Sequence, residues 1–126
     1  MSLRSLFLAA TLLAGASLAQ ALELKPYSAA ALAEALAAGK PVALHFRADW
    51  CPTCRVQDKA LQSLADEKGL DLAVLKVDYD NEKDLKRQYK VTTQSTLVVL
   101  RGAKETARLA GDTSKLNIMN ALKTAL

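Results

Sequence analysis

Only two cysteines occur in the 126 residues, so at most one intrachain disulfide can form and a framework of several bridges is excluded. A single histidine accompanies them, leaving the chain short of the four nitrogen or sulfur ligands that a structural zinc site usually needs. Aromatic residues make up 5%, too few for a platform on which nucleic-acid bases would stack. No charge of one sign dominates: 17 Lys and Arg against 13 Asp and Glu give +4, spread in mixed-sign stretches, and nucleic acid is not indicated as a partner. After the first twenty residues no run approaches the roughly 20 apolar residues of a membrane-spanning helix. Internal repeats, linkers and low-complexity segments are also missing. What remains is a globular composition, 51% hydrophobic and 24% charged, of a length that suits one domain.

The first 21 residues read as an export signal. Arg4 is followed by an uncharged run from Ser5 to Ser17, and Ala19-Gln20-Ala21 is a small-x-small cleavage site. Cleavage is expected after Ala21, with a single mature domain over residues 22–126; an uncleaved anchor is the lesser alternative. No cysteine lies near the cleavage point to carry a lipid, so the product is expected to be soluble. Export places both cysteines in an oxidising compartment.

Within the mature domain, Ser28 to Ala38 is a run of strong helix formers with Ser28 as N-cap and Gly39 as terminator. Val42 to Phe46 is a short apolar run of central-strand type. A helix then opens at the cysteines, with Pro52 in its first turn and Val56, Ala60, Leu61, Leu64 and Ala65 at helical spacing. Leu72 to Val77 reads as a second buried strand, and Asp80 or Asn81 as the cap of a short polar helix ending near Tyr89. Ser95 to Leu100 and Glu105 to Leu109 form an antiparallel pair around Arg101-Gly102-Ala103-Lys104. Asp112, Thr113 or Ser114 caps a last helix with Leu116, Met119, Leu122 and Leu126 as its apolar stripe. The order α-β-α-β-α-β-β-α implies a mixed sheet with helices on both faces.

Cys51-Pro52-Thr53-Cys54, directly after a strand and at a helix start, carries the chemistry. Unpaired amides and the positive end of the helix dipole favour a thiolate at Cys51, lowering its pKa below the free value of about 8.5. Cys51 is the expected nucleophile and Cys54, one turn on and less open to solvent, the resolving thiol of a two-step disulfide exchange. A purely stabilising bridge is the alternative, but closing about four residues contributes only about 1.9 kcal/mol, against about 4.7 for a 100-residue loop.

The chain resembles the thioredoxin family, in particular the exported thioredoxin-like proteins of bacteria, from about Ser28 to Leu126. Phe46-Arg47-Ala48-Asp49-Trp50-Cys51-Pro52-Thr53-Cys54 carries the resemblance, supported by Val74 to Asp78, Tyr89-Lys90-Val91 leading into Ser95-Thr96-Leu97, and Gly102. It implies an α/β thioredoxin-like fold, a mixed four- to five-stranded sheet flanked by helices, and protein-disulfide exchange without a cofactor. A periplasmic monomer acting on exported protein disulfides, fed by a membrane electron donor, is expected. Trp50, Ser95 and Thr96 are the expected substrate contacts, with Trp50 either a docking surface or a packing residue. Two departures stand out. Ser95 occupies the position of the family's cis-proline, and a trans bond is expected there because a cis bond before a non-proline residue costs about 2.5 to 4 kcal/mol. Ser95 either hydrogen-bonds a sulfur or serves the turn. His45, six residues before Cys51, stands where the family keeps a buried acid that helps deprotonate the resolving thiol; it either moves that proton or is a core histidine paired to backbone or water. Arg47 stands where an aromatic residue is common. No metal is assigned in this reading; the alternatives are a metal-binding or metal-delivery protein taking Cu(I) or an Fe–S cluster on the same cysteines, and a non-catalytic interaction module.

Overall fold

The computed structural model describes residues 21–126; apart from Ala21, the expected export signal lies outside them. Nine elements follow one another: β1 (Glu23–Pro26), α1 (Ala29–Ala37), β2 (Pro41–Arg47), α2 (Pro52–Ala65), β3 (Ala73–Asp78), α3 (Lys83–Tyr89), β4 (Thr96–Arg101), β5 (Lys104–Ala110) and α4 (Lys115–Lys123). The strands form one mixed sheet in the order β1-β3-β2-β4-β5. β1 and β2 run parallel to β3, and β4 is antiparallel to both β2 and β5. This is the α/β thioredoxin fold.

Local chemistry places most element boundaries. Ser28 Oγ accepts from the Ala31 N–H at 3.0 Å, capping α1. The helix ends where Gly39 takes φ +64°, with Gly39 N–H donating to Leu36 O and Lys40 N–H to Ala35 O, the paired bonds of a Schellman turn. Ser114 caps α4 through the Asn117 N–H. The short helix α3 begins differently from expectation: its N-cap is Glu82, without a side-chain bond, because Asp80 and Asn81 fold back on Asp78.

Alternation along the sheet strands divides the core into two layers. Ala43, Val74, Leu97 and Val99 meet Leu61 and Leu64 of α2 and Ile118, Ala121 and Leu122 of α4. Val42, Leu44, Phe46, Leu75 and Val98 meet α1 and α3 through Leu32 and Leu85 on the other face. His45 therefore points toward α2, away from its neighbours Leu44 and Phe46.

Three sequence readings need correction. β1 was not expected, because four residues containing Glu, Lys and Pro carry almost no strand signal; it is a short edge strand of the protected kind, held by its parallel ladder to β3. On α2 the buried face is Cys54, Gln57, Leu61 and Leu64, and Val56 is exposed. On α4 the buried residues are Ile118, Ala121 and Leu122, joined by Ala125 just past its end, whereas Leu116 and, beyond the helix, Leu126 face outward and Met119 is only half-buried. Leu122→Ala should therefore cost about 2–5 kcal/mol of stability, and Leu116→Ala, at 59% exposure, less than about 0.5, as read from urea midpoints of the two variants.

Candidate active site

β2 ends at Arg47, and the loop Ala48-Asp49-Trp50 delivers the chain to Cys51, which is the N-cap of α2 with an extended backbone (φ −91°, ψ 110°). Pro52 follows at the first helical position, where its missing N–H costs no helical bond. The Cys54 N–H donates to Cys51 Sγ at 3.1 Å, so one of the few backbone donors left free at the helix start is spent on the first sulfur. No acidic side chain occupies the first turn to offset the helix dipole. Cys51 and Cys54 are joined as a disulfide with their Cα atoms 5.2 Å apart. The expected difference in solvent access is small in this state, 1% against 0%, because Ala48 packs beside the bond and Ser95 closes over it.

Ser95 approaches from the loop before β4. No peptide bond among the described residues is cis, as expected at this position, and Ser95 has φ +61°, a left-handed backbone that side chains seldom adopt. Its hydroxyl lies 3.1 Å from Cys51 Sγ and 3.0 Å from Cys54 Sγ. Disulfide sulfurs carry no hydrogen, so the hydroxyl is the donor to both. The strained backbone is held from behind: Ser95 O accepts from the Gly111 N–H at 2.9 Å and from the Gln57 amide at 3.0 Å. Of the two roles foreseen for Ser95, the sulfur contact is the one observed.

Behind the disulfide lies a buried polar group. His45 Nε2 donates to Gln57 Oε1 at 2.8 Å, and the Gln57 amide nitrogen donates to Ser95 O and to Asp112 O at 2.9 Å. His45 Nδ1 faces Asp58 Oδ1 at 3.5 Å, and Asp58 Oδ2 accepts from Arg47 Nε at 3.0 Å. Neither ring nitrogen of His45 is hydrogen-bonded to a sulfur. The ring is fully buried, and the groups that face its two nitrogens are the side chains of Gln57 and Asp58. Burial holds its pKa below the usual imidazole range; the Gln57 bond and the Asp58 charge oppose this, and the charges of Arg47 and Lys76 reinforce it.

Trp50 is 57% exposed and donates through Nε1 to Asp80 Oδ2 at 2.8 Å, so its ring stands at the rim with its orientation set. Thr96 is buried, its hydroxyl donating to Thr93 O at 2.8 Å, and its side chain serves the turn before β4. Arg55 bonds the Asp49 carbonyl at 3.2 Å. Gln57 and Asp58 carry no motif in the sequence, and Asp80 and Asp112 figure there only as candidate helix caps. For Gln57 a signal existed: counting back four and seven from Leu61 and Leu64 on the core face reaches it, and a polar residue there demands a partner.

The thioredoxin family model matches residues 23–124. Thioredoxin-1 of Drosophila melanogaster is 37% identical over 83 residues, covering 65% of this chain and 78% of that protein. The bifunctional thioredoxin reductase/thioredoxin of Mycobacterium leprae is 29% identical over 90 residues, which are 71% of this chain but only 20% of the relative. Among solved structures, Trxlp from Edwardsiella tarda superposes with a TM-score of 0.74 at 38% identity, covering 79% of this chain and 98% of that one.

Because the folded protein binds the His45 proton less readily than the unfolded chain, whose imidazole titrates near 6.5, stability falls with pH below about 6.5 until the folded ring itself titrates. Urea midpoints of the oxidised protein should be level above pH 7 and decline between about pH 6.5 and 5; a midpoint constant across that window would show that the ring keeps its proton in the fold.

Proposed function

The chain belongs to the thioredoxin family and is a protein-disulfide oxidoreductase with the redox pair Cys51–Cys54, and on that premise we propose that it is an exported, periplasmic reductase of protein disulfides in which Cys51 attacks and Cys54 resolves. The observation that carries the reading is the seat of Cys51 at the start of α2, its sulfur already accepting the Cys54 N–H. In the reduced protein that donor and the helix dipole favour a thiolate at Cys51. The thiolate attacks a substrate disulfide, a mixed disulfide forms on Cys51, and Cys54 displaces the substrate thiol and regenerates the intrachain bond.

Ser95 has a second task in this cycle. A hydroxyl offers one donor and two acceptor lone pairs. In the reduced state it donates to the Cys51 thiolate while accepting the Cys54 S–H, in place of the family's proline ring. The exposed Trp50 beside Cys51 offers an apolar surface to the incoming chain. The reductive direction is supported by the relatives named thioredoxin and by Pro52-Thr53, which puts no cation between the sulfurs. Export rests on the N-terminal signal, and a membrane-bound electron donor would re-reduce the pair there. Of the metal alternatives, an Fe–S cluster would need ligands from outside the chain, since among the described residues no three metal-ligating side chains cluster.

Protein recovered from the periplasm should begin at Leu22 and reduce insulin disulfides, with a Cys51/Cys54 potential nearer the reducing end of the fold's range, about −270 mV, than the oxidising end near −120 mV. Cys51→Ser should abolish the reaction; activity surviving it would leave an interaction module instead. Ser95→Gly tolerates the left-handed backbone and removes only the hydroxyl. It should raise the Cys51 pKa by about one to two units, the equivalent of one hydrogen bond to a charged group, measured by thiolate absorbance.

A further inference from the structure

Of the two sulfurs, only Cys51 has a backbone donor. The Cys54 N–H points at Cys51 Sγ, whereas the one polar partner of Cys54 Sγ among the described residues is the Ser95 hydroxyl, 3.0 Å away. That hydroxyl also lies 3.1 Å from Cys51 Sγ. It carries a single hydrogen, and a turn about the Cβ–Oγ bond passes that hydrogen from one sulfur to the other with no heavy atom moving. Ser95 is 3% exposed and Cys54 0%, so little water competes for the bond, and surroundings of low polarity strengthen it. The residue is held in place through its carbonyl, which accepts from the Gly111 N–H and the Gln57 amide.

We propose that Ser95 is a catalytic residue of the second half of the exchange, its one hydrogen following the negative charge from Cys51 to Cys54 and so allowing the buried resolving thiol to ionise. This rests on the reading of Cys51 as the attacking thiol and Cys54 as the resolving one. In the reduced protein the hydroxyl donates to the Cys51 thiolate. Once Cys51 is bonded to the substrate its sulfur is uncharged, and the hydrogen is free to turn to Cys54. Cys54 gives its proton to solvent water, and a lone pair of the thiolate forms the bond to Cys51 Sγ. The bond from Cys51 to the substrate breaks, its electron pair leaves on the substrate sulfur, and that sulfur takes a proton from solvent. Across the cycle the dithiol loses two electrons and the substrate disulfide gains them. In the reverse direction a reducing thiolate attacks Cys51 Sγ, and the pair of the intrachain bond collects on Cys54 Sγ, where the same hydrogen meets it.

No charged side chain among the described residues bonds either sulfur. On α2, Arg55 is engaged by Asp49 O and Asp58 by Arg47 of β2. His45 of β2 faces Gln57, and Lys76 of β3 stands beside His45 in the ladder. After β5, the Asp112 carboxylate accepts from the Ser114 N–H and the Asn117 amide, and Lys115 of α4 pairs with Glu67. The loop that carries Ser95 has no charged residue between Lys90 and Arg101. Stabilisation of charge on Cys54 therefore falls to the hydroxyl.

Alkylating Cys51 with iodoacetamide leaves a neutral thioether in place of the mixed disulfide, and thiolate absorbance then reads Cys54 alone, since the chain has no third cysteine. In that derivative Ser95→Gly, which removes only the hydroxyl, should raise the Cys54 titration midpoint by about two pH units. Resolution is followed in the unalkylated protein by release of the second thionitrobenzoate equivalent after the reduced protein attacks equimolar Ellman's reagent. A shift of about two units lowers the thiolate fraction about a hundredfold, while each thiolate, now more basic, attacks roughly tenfold faster. Release by Ser95→Gly at pH 7 should therefore be about tenfold slower, and above the midpoints of both proteins the order should reverse. Slowing by one constant factor at every pH marks a packing defect and overturns the proposal, as does an unchanged Cys54 midpoint. A protein that fails to release even the first thionitrobenzoate equivalent loses the exchange reading itself, whatever Cys54 shows.

Discussion

A central strand stops and a helix starts within five residues, and the two sulfurs sit in that gap. β2 is paired on both sides, by β3 and β4, so its end cannot shift without breaking two ladders. α2 is anchored by Leu61 and Leu64 against the sheet and α4. The amides at the start of α2 are therefore aimed by the rest of the fold, and Cys51 meets them as N-cap. A donor fixed in this way needs no reorganisation when charge develops on the sulfur, which is why the same dithiol in a flexible loop would be a poorer nucleophile.

Buried polarity is concentrated at this gap. His45, Gln57, Ser95 and Thr96 are the polar side chains buried as deeply as the core, and the first three form a chain from the strand, through the helix, to the loop over the sulfurs. An unpaired buried polar group costs about 1–3 kcal/mol, so each link constrains the next. Gln57 joins three segments: β2 through His45, the loop before β4 through Ser95, and the loop after β5 through Asp112. The unpaired atoms of His45 and Asp58, 3.5 Å apart, are the one mismatch in this group.

Substitution of the ring at position 95 by a hydroxyl changes the chemistry of the lid over the sulfurs. A proline ring offers them only apolar contact, whereas Ser95 presents a donor to both. The left-handed backbone at Ser95 persists because its carbonyl is held by two donors, the Gly111 N–H and Gln57. Trp50, held by Asp80, stays at the rim and out of the polar group.

From the amino-acid order alone came the alternation of strands and helices, the helix start at Cys51, the cap at Ser28, a choice of three caps that included Ser114, and the sulfur pair. These are local properties, set by periods of two and 3.6 residues and by residues within four of one another. The edge strand β1, the phase of α4 and the partners of His45 came only with the tertiary structure. Four residues of β1 hold no pattern until β3 supplies a ladder, and the buried stripe of α4 is settled by which of its residues the sheet and α2 cover. The bonds that Gln57 makes to Ser95 and Asp112 span 38 and 55 positions, distances over which no periodicity in the chain carries information. Sheet order brings those loops together over one helix face, and burial there makes Gln57 the side chain that ties them to β2.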